Sequence, residues 1–187
     1  MQRYLLLVDS FSTWVGKTFA WLIVILVTLT TADVVGKKFL GAPVYFAFDV
    51  SYYLYATLFM VGGAYALARN QHVRGDMFYR MWPIKVQAGV ELLLMILFFF
   101  PAIIALVSSG YQFFQPSFEF NERTQTSSVQ LPLWVLKGVI PFAGLLMLIQ
   151  GIAETVRCVI ALRSGAWPER LSDIEETETL LAKESQI

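Results

Sequence analysis

Four long stretches without a charged residue constrain the fold of this chain more than any other feature. They cover residues 18–32, 50–68, 92–109 and 138–153. A helix that crosses the hydrocarbon core of a bilayer needs about 20 mostly apolar residues. Extended modestly at their ends, all four stretches reach that length. We therefore predict an all-α integral membrane protein with transmembrane helices at about 14–35, 47–69, 87–109 and 132–160.

The composition supports a membrane location and excludes several other classes of protein. Apolar residues make up 57% of the chain and charged residues 15%, whereas soluble domains average about 45–50% and about 25%. The formal net charge is zero, which argues against a nucleic-acid-binding protein. The single cysteine, Cys158, and the single histidine, His72, exclude a disulfide framework, a cysteine-based zinc site and a bis-histidine haem within this chain.

The positions of the basic residues predict how the helices are oriented. Cytoplasmic loops carry an excess of lysine and arginine. If the N-terminus is cytoplasmic, most of the 14 basic residues fall in cytoplasmic segments. The exceptions are Lys37, Lys38, Arg123 and Lys137. We therefore predict that both termini are cytoplasmic.

The segments outside the predicted spans differ in character. Residues 70–84 place apolar side chains at helical spacing beside basic ones, which predicts a short amphipathic helix on the inner membrane interface. Residues 3–16 are a second candidate for an interfacial helix, leading into the first span. The outer loop 110–131 mixes aromatic and polar residues and forms either an ordered partner surface or a flexible hairpin. We predict a four-helix transmembrane domain over residues 1–163 and an acidic cytoplasmic tail over residues 164–187.

The sequence contains no recognisable catalytic, cofactor or metal site. Intramembrane proton and ion pathways need polar groups at depth, but Asp33, Asp49, Glu91 and Glu154 all lie near the ends of predicted spans. Glu154 and Arg157 are three residues apart and can form a local ion pair. Two classes remain open on this evidence. The chain is either a non-enzymatic accessory subunit of a larger complex, or a self-contained small transporter, channel or membrane enzyme.

Small residues in the second span favour close helix packing. Gly62 and Ala66 are four residues apart, and so are Ala64 and Ala68. Such pairs let a neighbouring helix approach closely in a membrane, where lipid supplies no hydrophobic drive for association. The pattern does not reveal whether the neighbouring helix belongs to this chain or to a partner.

Two blocks of sequence resemble a known family. Residues 62–76 read GGAYALARNQHVRGD. Residues 127–157 contain Leu-Pro-x-Trp at 131–134 and end with Gln-x-x-x-Glu-x-x-Arg. Both blocks resemble the small membrane subunit (DctQ-type) of tripartite ATP-independent periplasmic (TRAP) transporters. The four-span plan with cytoplasmic termini also agrees with that family.

The resemblance implies a role and a set of partners. The small subunit pairs with a large transport subunit (DctM-type) and serves as part of its fixed scaffold in the bacterial or archaeal cytoplasmic membrane. A periplasmic binding protein (DctP-type) delivers an organic anion to this heterodimer. The sodium and substrate sites are expected in the large subunit, so this chain is expected to hold no cofactor.

The resemblance also suggests three groups of contact residues. The candidates for phospholipid and inner-interface contacts are Arg69, His72, Arg74 and Asp76. In the alternative reading, Arg69 and Arg74 only enforce orientation and His72 caps a turn. The candidates for packing against the large subunit are Gly62, Gly63, Ala66, Trp134 and Lys137. The candidates for docking the binding protein are Phe113, Phe114, Glu119, Glu122 and Arg123.

Overall fold

The computed structural model describes residues 2–69, 81–126 and 129–171. In these residues the regular secondary structure is helical, with one isolated β-bridge. The α-helices are α1 (Gln2–Ala20), α2 (Leu22–Val35), α3 (Ala47–Ala68), α4 (Ile84–Leu94), α5 (Phe100–Glu119) and α6 (Leu133–Ser164). Two π-helical turns, Gly36–Leu40 and Met95–Phe99, continue α2 and α4.

These elements form four helical runs that are long and apolar enough to cross a membrane. The runs are Gln2–Leu40, Ala47–Ala68, Ile84–Glu119 and Leu133–Ser164. The predicted all-α fold with four membrane-spanning helices is therefore confirmed. The side of the membrane on which the termini lie stays a prediction.

The described residues divide into two compact units. Unit 1 comprises residues 1–14, 64–103 and 146–187, and unit 2 comprises residues 15–63 and 104–145. Each unit has its own buried residues, including Leu5, Ala88 and Cys158 in unit 1 and Val61 and Ala143 in unit 2. Each unit also has its own set of polar contacts.

Two glycines end the first helical run in unit 2. A Cβ atom at Gly36 would lie 2.6 Å from the carbonyl oxygen of Ala42. Gly41 has a φ of +64° and donates its backbone N–H to the carbonyl of Gly36. A left-handed residue after a helix strongly favours glycine, which has no Cβ to clash. These two positions turn the chain out of the helix and into the loop before α3.

The π-helical turn in unit 1 precedes a proline. Pro101 is the second residue of α5, and its missing N–H together with its ring disturbs the preceding helical turn. The Met95–Phe99 turn widens the helix at this point, with the N–H of Phe100 bonded to the carbonyl of Met95. The chain thus passes the proline while remaining helical.

Glycines on α6 allow neighbouring side chains to approach closely. In unit 2, a Cβ atom at Gly144 would lie 2.7 Å from Val107, and one at Gly138 would lie 3.1 Å from the ring of Phe114. In unit 1, a Cβ atom at Gly151 would overlap the ring of Phe99. Among the described glycines, several of those on α6 therefore lie close to side chains of a neighbouring helix.

The outer loop predicted at 110–131 is too long. Helix α5 continues to Glu119, so the first ten residues of that prediction are helical. Contacts four residues apart stabilise this extension: the rings of Phe114 and Phe118 stack with centroids 5.6 Å apart, and Gln115 donates to Glu119 at 3.0 Å.

Of the predicted interfacial segment 70–84, residues 70–80 lie outside the described residues.

Candidate functional site

Four charged side chains in unit 1 are buried and contact one another. We call Asp9, Glu154, Arg157 and Arg170 the buried charge network. Arg157 lies at its centre: Nη2 donates to Oδ2 of Asp9 at 2.5 Å, and Nη1 donates to Oε1 of Glu154 at 2.6 Å. Asp9 and Arg157 are 0% exposed, and Glu154 is 1% exposed.

The fourth member comes from the segment that follows α6. Arg170 donates through Nη1 to Oε1 of Glu154 and through Nη2 to Oε2, both at 2.8 Å. This bidentate geometry is the strong form of an arginine–carboxylate contact. The beginning of the tail predicted from Ser164 onward is therefore folded against α6, and Arg170 is 7% exposed.

Two uncharged side chains complete the network on its other side. Gln150 donates through Nε2 to Oδ1 of Asp9 at 2.9 Å, and its Oε1 accepts a hydrogen bond from Ser12 at 2.9 Å. Both carboxylate oxygens of Asp9 are thus bonded. Ser12 and Asp9 lie three residues apart on α1, so the buried face of this helix is polar.

The composition of the network indicates a structural role. Two carboxylates and two guanidinium groups cancel in charge, and buried charges persist only when they are paired and hydrogen-bonded. Each carboxylate is engaged by arginine, and neither is left to abstract a proton or bind a cation. In the described part of the chain, no cluster of three or more histidine, cysteine or acidic residues is suited to hold a metal ion.

Sequence reasoning found half of this network. It paired Glu154 with Arg157 as a local contact, but it missed Asp9 and Arg170, which bring in α1 and the segment after α6. One signal was available in the sequence. Asp9, Ser12 and Thr13 recur at helical spacing in the first helix, which is typical of a polar face turned toward protein.

A second group of polar contacts lies in unit 2, where residues 120–132 connect α5 to α6. We call this segment the 120–132 hairpin; residues 127–128 are not among those described. The N–H of Thr124 donates to the carbonyl of Leu131 at 2.9 Å, and the N–H of Leu133 donates to the carbonyl of Glu122 at 2.8 Å. Arg123 and Pro132 form the β-bridge between these bonds.

Two side chains of α3 hold the hairpin. Asp49, which is 3% exposed, accepts a hydrogen bond from the hydroxyl of Thr124 at 3.0 Å. The hydroxyl of Tyr53 donates to the carbonyl of Pro132 at 3.1 Å. The described parts of both hairpin strands are therefore attached to a membrane helix.

Lys137 links the hairpin to the start of α6. Its Nζ lies 2.5 Å from Oε2 of Glu122 and 4.1 Å from the ring centroid of Phe113. The neighbouring ammonium group lowers the pKa of Glu122 from its ordinary value of 4.5. The Lys137 side chain is 12% exposed and that of Glu122 is 44% exposed.

The docking candidates fall on two adjoining elements of unit 2. Glu122 and Arg123 lie on the hairpin, where Arg123 donates to the carbonyl of Gln130 at 3.3 Å. Phe113, Phe114 and Glu119 lie on α5. Phe113 and Glu119 are exposed, as is the neighbouring Phe120, whereas Phe114 is half-buried.

The candidates for packing against a large subunit occupy different environments. Around Gly62, the space that a Cβ atom would enter is open to 4 Å, and Gly63 and Ala66 are half-buried. The alternative small pair, Ala64 and Ala68, is buried inside this chain. Trp134 and Lys137 contact aromatic rings of this chain, and the ring of Trp134 meets Phe118 edge-on at 5.4 Å.

Among the candidates for lipid contacts, the structure describes Arg69. It follows α3, and its guanidinium lies 5.8 Å from the ring centroid of Tyr65. His72, Arg74 and Asp76 lie outside the described residues.

Comparison with known protein families gives a match over most of the chain. Residues 26–161 match the family described as "Tripartite ATP-independent periplasmic transporters, DctQ component". The match includes α3 to α5, the hairpin and nearly all of α6. A search among curated proteins found no match to the sequence.

Proposed function

Because the chain belongs to the DctQ family of TRAP transporter components, we propose that it is the scaffold subunit of a sodium-coupled importer of organic anions. In this proposal, the large membrane subunit carries the substrate and sodium sites. The present chain holds that subunit in place in the inner membrane and moves no solute by itself.

The buried charge network is the observation that carries this proposal. Transport sites within membranes use ionisable groups that face a cavity or pathway. The four buried charges of unit 1 instead engage one another, in contacts of 2.5–2.8 Å. A chain whose intramembrane charges are committed to its own folding is suited to a supporting role.

The open side of α3 supports a role for this helix in binding the large subunit. Small residues at a membrane helix surface permit close packing of backbones. Ala64 and Ala68 are used inside this chain, whereas the space beside Gly62 is open. We assign the surface around Gly62 and Ala66 to a helix of the large subunit.

The 120–132 hairpin supports a role in docking the periplasmic binding protein. The orientation predicted from the basic residues places it on the periplasmic face. Its attachment to Asp49 and Tyr53 gives it a fixed conformation. A preformed loop surface with exposed aromatic and charged side chains is suited to binding another protein.

The decisive experiment co-expresses this chain with a DctM-type large subunit from the same genome and tests copurification in mild detergent. We expect the two subunits to copurify and neither alone to support uptake when reconstituted with sodium and the binding protein. Uptake by this chain alone would instead favour the self-contained transporter or channel. The matched variants are Gly62→Leu, expected to reduce copurification, and Phe120→Leu, expected to leave it unchanged.

Docking is tested separately by charge reversal at Glu119. The variant Glu119→Lys is expected to weaken binding of the binding protein to the reconstituted complex, because it reverses an exposed charge beside the hairpin. Lys37→Glu, which reverses an exposed charge elsewhere in unit 2, is the control. Equal binding by both variants and the unmodified complex would contradict this docking surface.

A further inference from the structure

The chain turns back on itself directly after α6. Gly165 has a φ of +74°, and its N–H donates to the carbonyl of Ala161 at 2.9 Å. A left-handed residue at the end of a helix reverses the chain and favours glycine. Five residues later, Arg170 contacts Glu154, which lies eleven residues before Gly165. Residues 165–170, which we call the strap, therefore run back along α6.

The strap follows one face of α6. Glu154, Cys158, Ala161 and Gly165 succeed one another at intervals of four, three and four residues, so they share one side of the helix. The strap begins at the last of these positions and is anchored at the first. Cys158 and Ala161, which lie between the two, are both 0% exposed. The strap therefore passes over the face that carries these two residues.

Helix α4 borders the same face. The indole N–H of Trp167 donates to Oε1 of Gln87 at 3.4 Å. One turn further along α4, Oε2 of Glu91 lies 3.7 Å from Sγ of Cys158. The strap thus contacts both helices and closes the groove between α4 and α6, in which Cys158 lies.

The anchoring of the strap is uneven along its length. Arg170 is 7% exposed and binds both carboxylate oxygens of Glu154 at 2.8 Å. The contacts of Trp167 and Glu169, at 3.4 and 3.5 Å, are close to the upper limit for a hydrogen bond. Residues 166–169 are exposed or half-buried. Segments with few buried contacts open at a lower free energy than the core beside them.

We propose that the strap opens and closes as one segment over the groove between α4 and α6, with Gly165 as its pivot and Arg170 as its catch. In the closed state the strap excludes water from Cys158 and Glu154, which strengthens the ion pairs of the buried charge network. Opening withdraws Arg170 and admits water, while α6 remains helical. The proposal does not depend on the scaffold role, because it concerns a motion within this chain.

The single cysteine of the sequence reports on the opening of the strap. The full-length chain in mild detergent is treated with a small water-soluble maleimide, and mass spectrometry measures the rate at which Cys158 is modified. Gly165→Ala strains the left-handed pivot of the closed strap and should increase this rate about tenfold. The effect arises from the backbone, because the added methyl group makes an ordinary contact of 3.7 Å with Lys85.

A matched control separates the pivot from backbone strain in general. Gly41 has a φ of +64° and lies in unit 2. Gly41→Ala therefore introduces similar strain away from the strap and should leave the modification rate of Cys158 unchanged. Equal rates in Gly41→Ala and Gly165→Ala would overturn the proposal.

Arg170→Lys tests the catch. Lysine keeps the positive charge but lacks the rigid fork that binds two carboxylate oxygens, so the modification rate of Cys158 should rise. An unchanged rate in either Arg170→Lys or Gly165→Ala would overturn the proposal.

Melting temperatures in the same detergent distinguish local opening from unfolding. Gly165→Ala and Gly41→Ala should melt at similar temperatures, although Cys158 is modified faster in the first variant. A clearly lower melting temperature of Gly165→Ala would overturn the proposal, because the thiol would then be exposed by unfolding of the helices. Copurification with the large subunit is not measured here, so the scaffold role stands or fails separately.

Discussion

The two units use the same kind of polar contact in opposite environments. In unit 1, Arg157 and Asp9 meet with side chains 0% and 1% exposed. In unit 2, Lys137 and Glu122 meet with side chains 12% and 44% exposed. Both ion pairs have a separation of 2.5 Å. Because the two separations are equal, we expect the difference in burial to decide how much each pair contributes to the free energy of unfolding.

The energetic contrast follows from solvation. Breaking a buried ion pair by removing one partner costs about 3–5 kcal/mol because an uncompensated charge remains. An exposed pair is worth about 0–1 kcal/mol, since water and salt screen it. The buried charge network of unit 1 is therefore expected to be intolerant of single charge changes. The Lys137–Glu122 pair of unit 2 is expected to tolerate them.

The largest effect is expected from Arg157→Met. The substitution removes the side chain that joins Asp9 to Glu154 and should reduce the free energy of unfolding by about 3–5 kcal/mol. The matched control is Arg163→Met, an exposed position on the same helix, which should change stability by less than about 0.5 kcal/mol. Thermal unfolding in detergent compares the two variants. Equal melting temperatures of the two variants would contradict a structural role for the buried charge network.

The next largest effect is expected at Arg170. Arg170→Met leaves Glu154 with Arg157 alone and gives the network a net negative charge, so we expect a loss of about 3 kcal/mol. The double variant Glu154→Gln/Arg170→Met restores neutrality and should lose less than Arg170→Met. Arg163→Met, which removes an exposed charge in the same unit, is the control. Additive losses in the double variant would show that the two charges are not coupled.

Close packing in unit 2 is tested at Gly144. Gly144→Ala places a methyl group 2.7 Å from Val107, and such overpacking costs about 1–3 kcal/mol. The gain in helix propensity of up to about 1 kcal/mol offsets part of this cost. Gly62→Ala on α3 should keep the full gain in helix propensity in the isolated chain, because no atom lies within 4 Å of the added methyl group. If Gly144→Ala has the same free energy of unfolding as Gly62→Ala, close packing at Gly144 does not limit the stability of unit 2.

A smaller effect is expected where Tyr53 holds the hairpin. Tyr53→Phe removes the hydrogen bond to the carbonyl of Pro132 and should cost about 0.5–1.5 kcal/mol. Hydrogen exchange of the hairpin amides, such as that of Thr124, should accelerate more than exchange in α6. Tyr52→Phe, at an exposed neighbouring position, serves as the comparison. Unaltered exchange in Tyr53→Phe would mean that the hairpin is held by its other contacts.

The smallest effect is expected from the titration of Glu122. Its pKa lies below 4.5 because of Lys137, so its contribution is present above pH 4.5 and disappears as the pH falls through the lowered pKa. Lys137→Met should raise the midpoint of the Glu122 carboxyl titration toward 4.5, measured by NMR in micelles. Lys38→Met should leave it in place. Equal midpoints in the two variants would exclude Lys137 as the cause.

The sequence predicts much of the architecture because its signals are local. Charge-free stretches of sufficient length identify the four membrane helices, and the spacing of Glu154 and Arg157 identifies one ion pair. The remaining contacts join distant positions: Asp9 and Arg157 are 148 residues apart. Such pairs depend on tertiary packing that no local pattern encodes. The helical extension to Glu119 was missed because Gly110, Pro116 and Ser117 are residue types that are common in turns.

The long separation within the buried charge network has a consequence for biogenesis. Asp9 leaves the ribosome 148 residues before Arg157, a delay of roughly 7–30 s at synthesis rates of about 5–20 residues per second. During that interval the insertion machinery handles a first helix whose aspartate has no arginine to receive it. Completion of the last helix supplies Arg157 and then Arg170. The nascent chain thus acquires charge neutrality in the buried charge network only near the end of its synthesis.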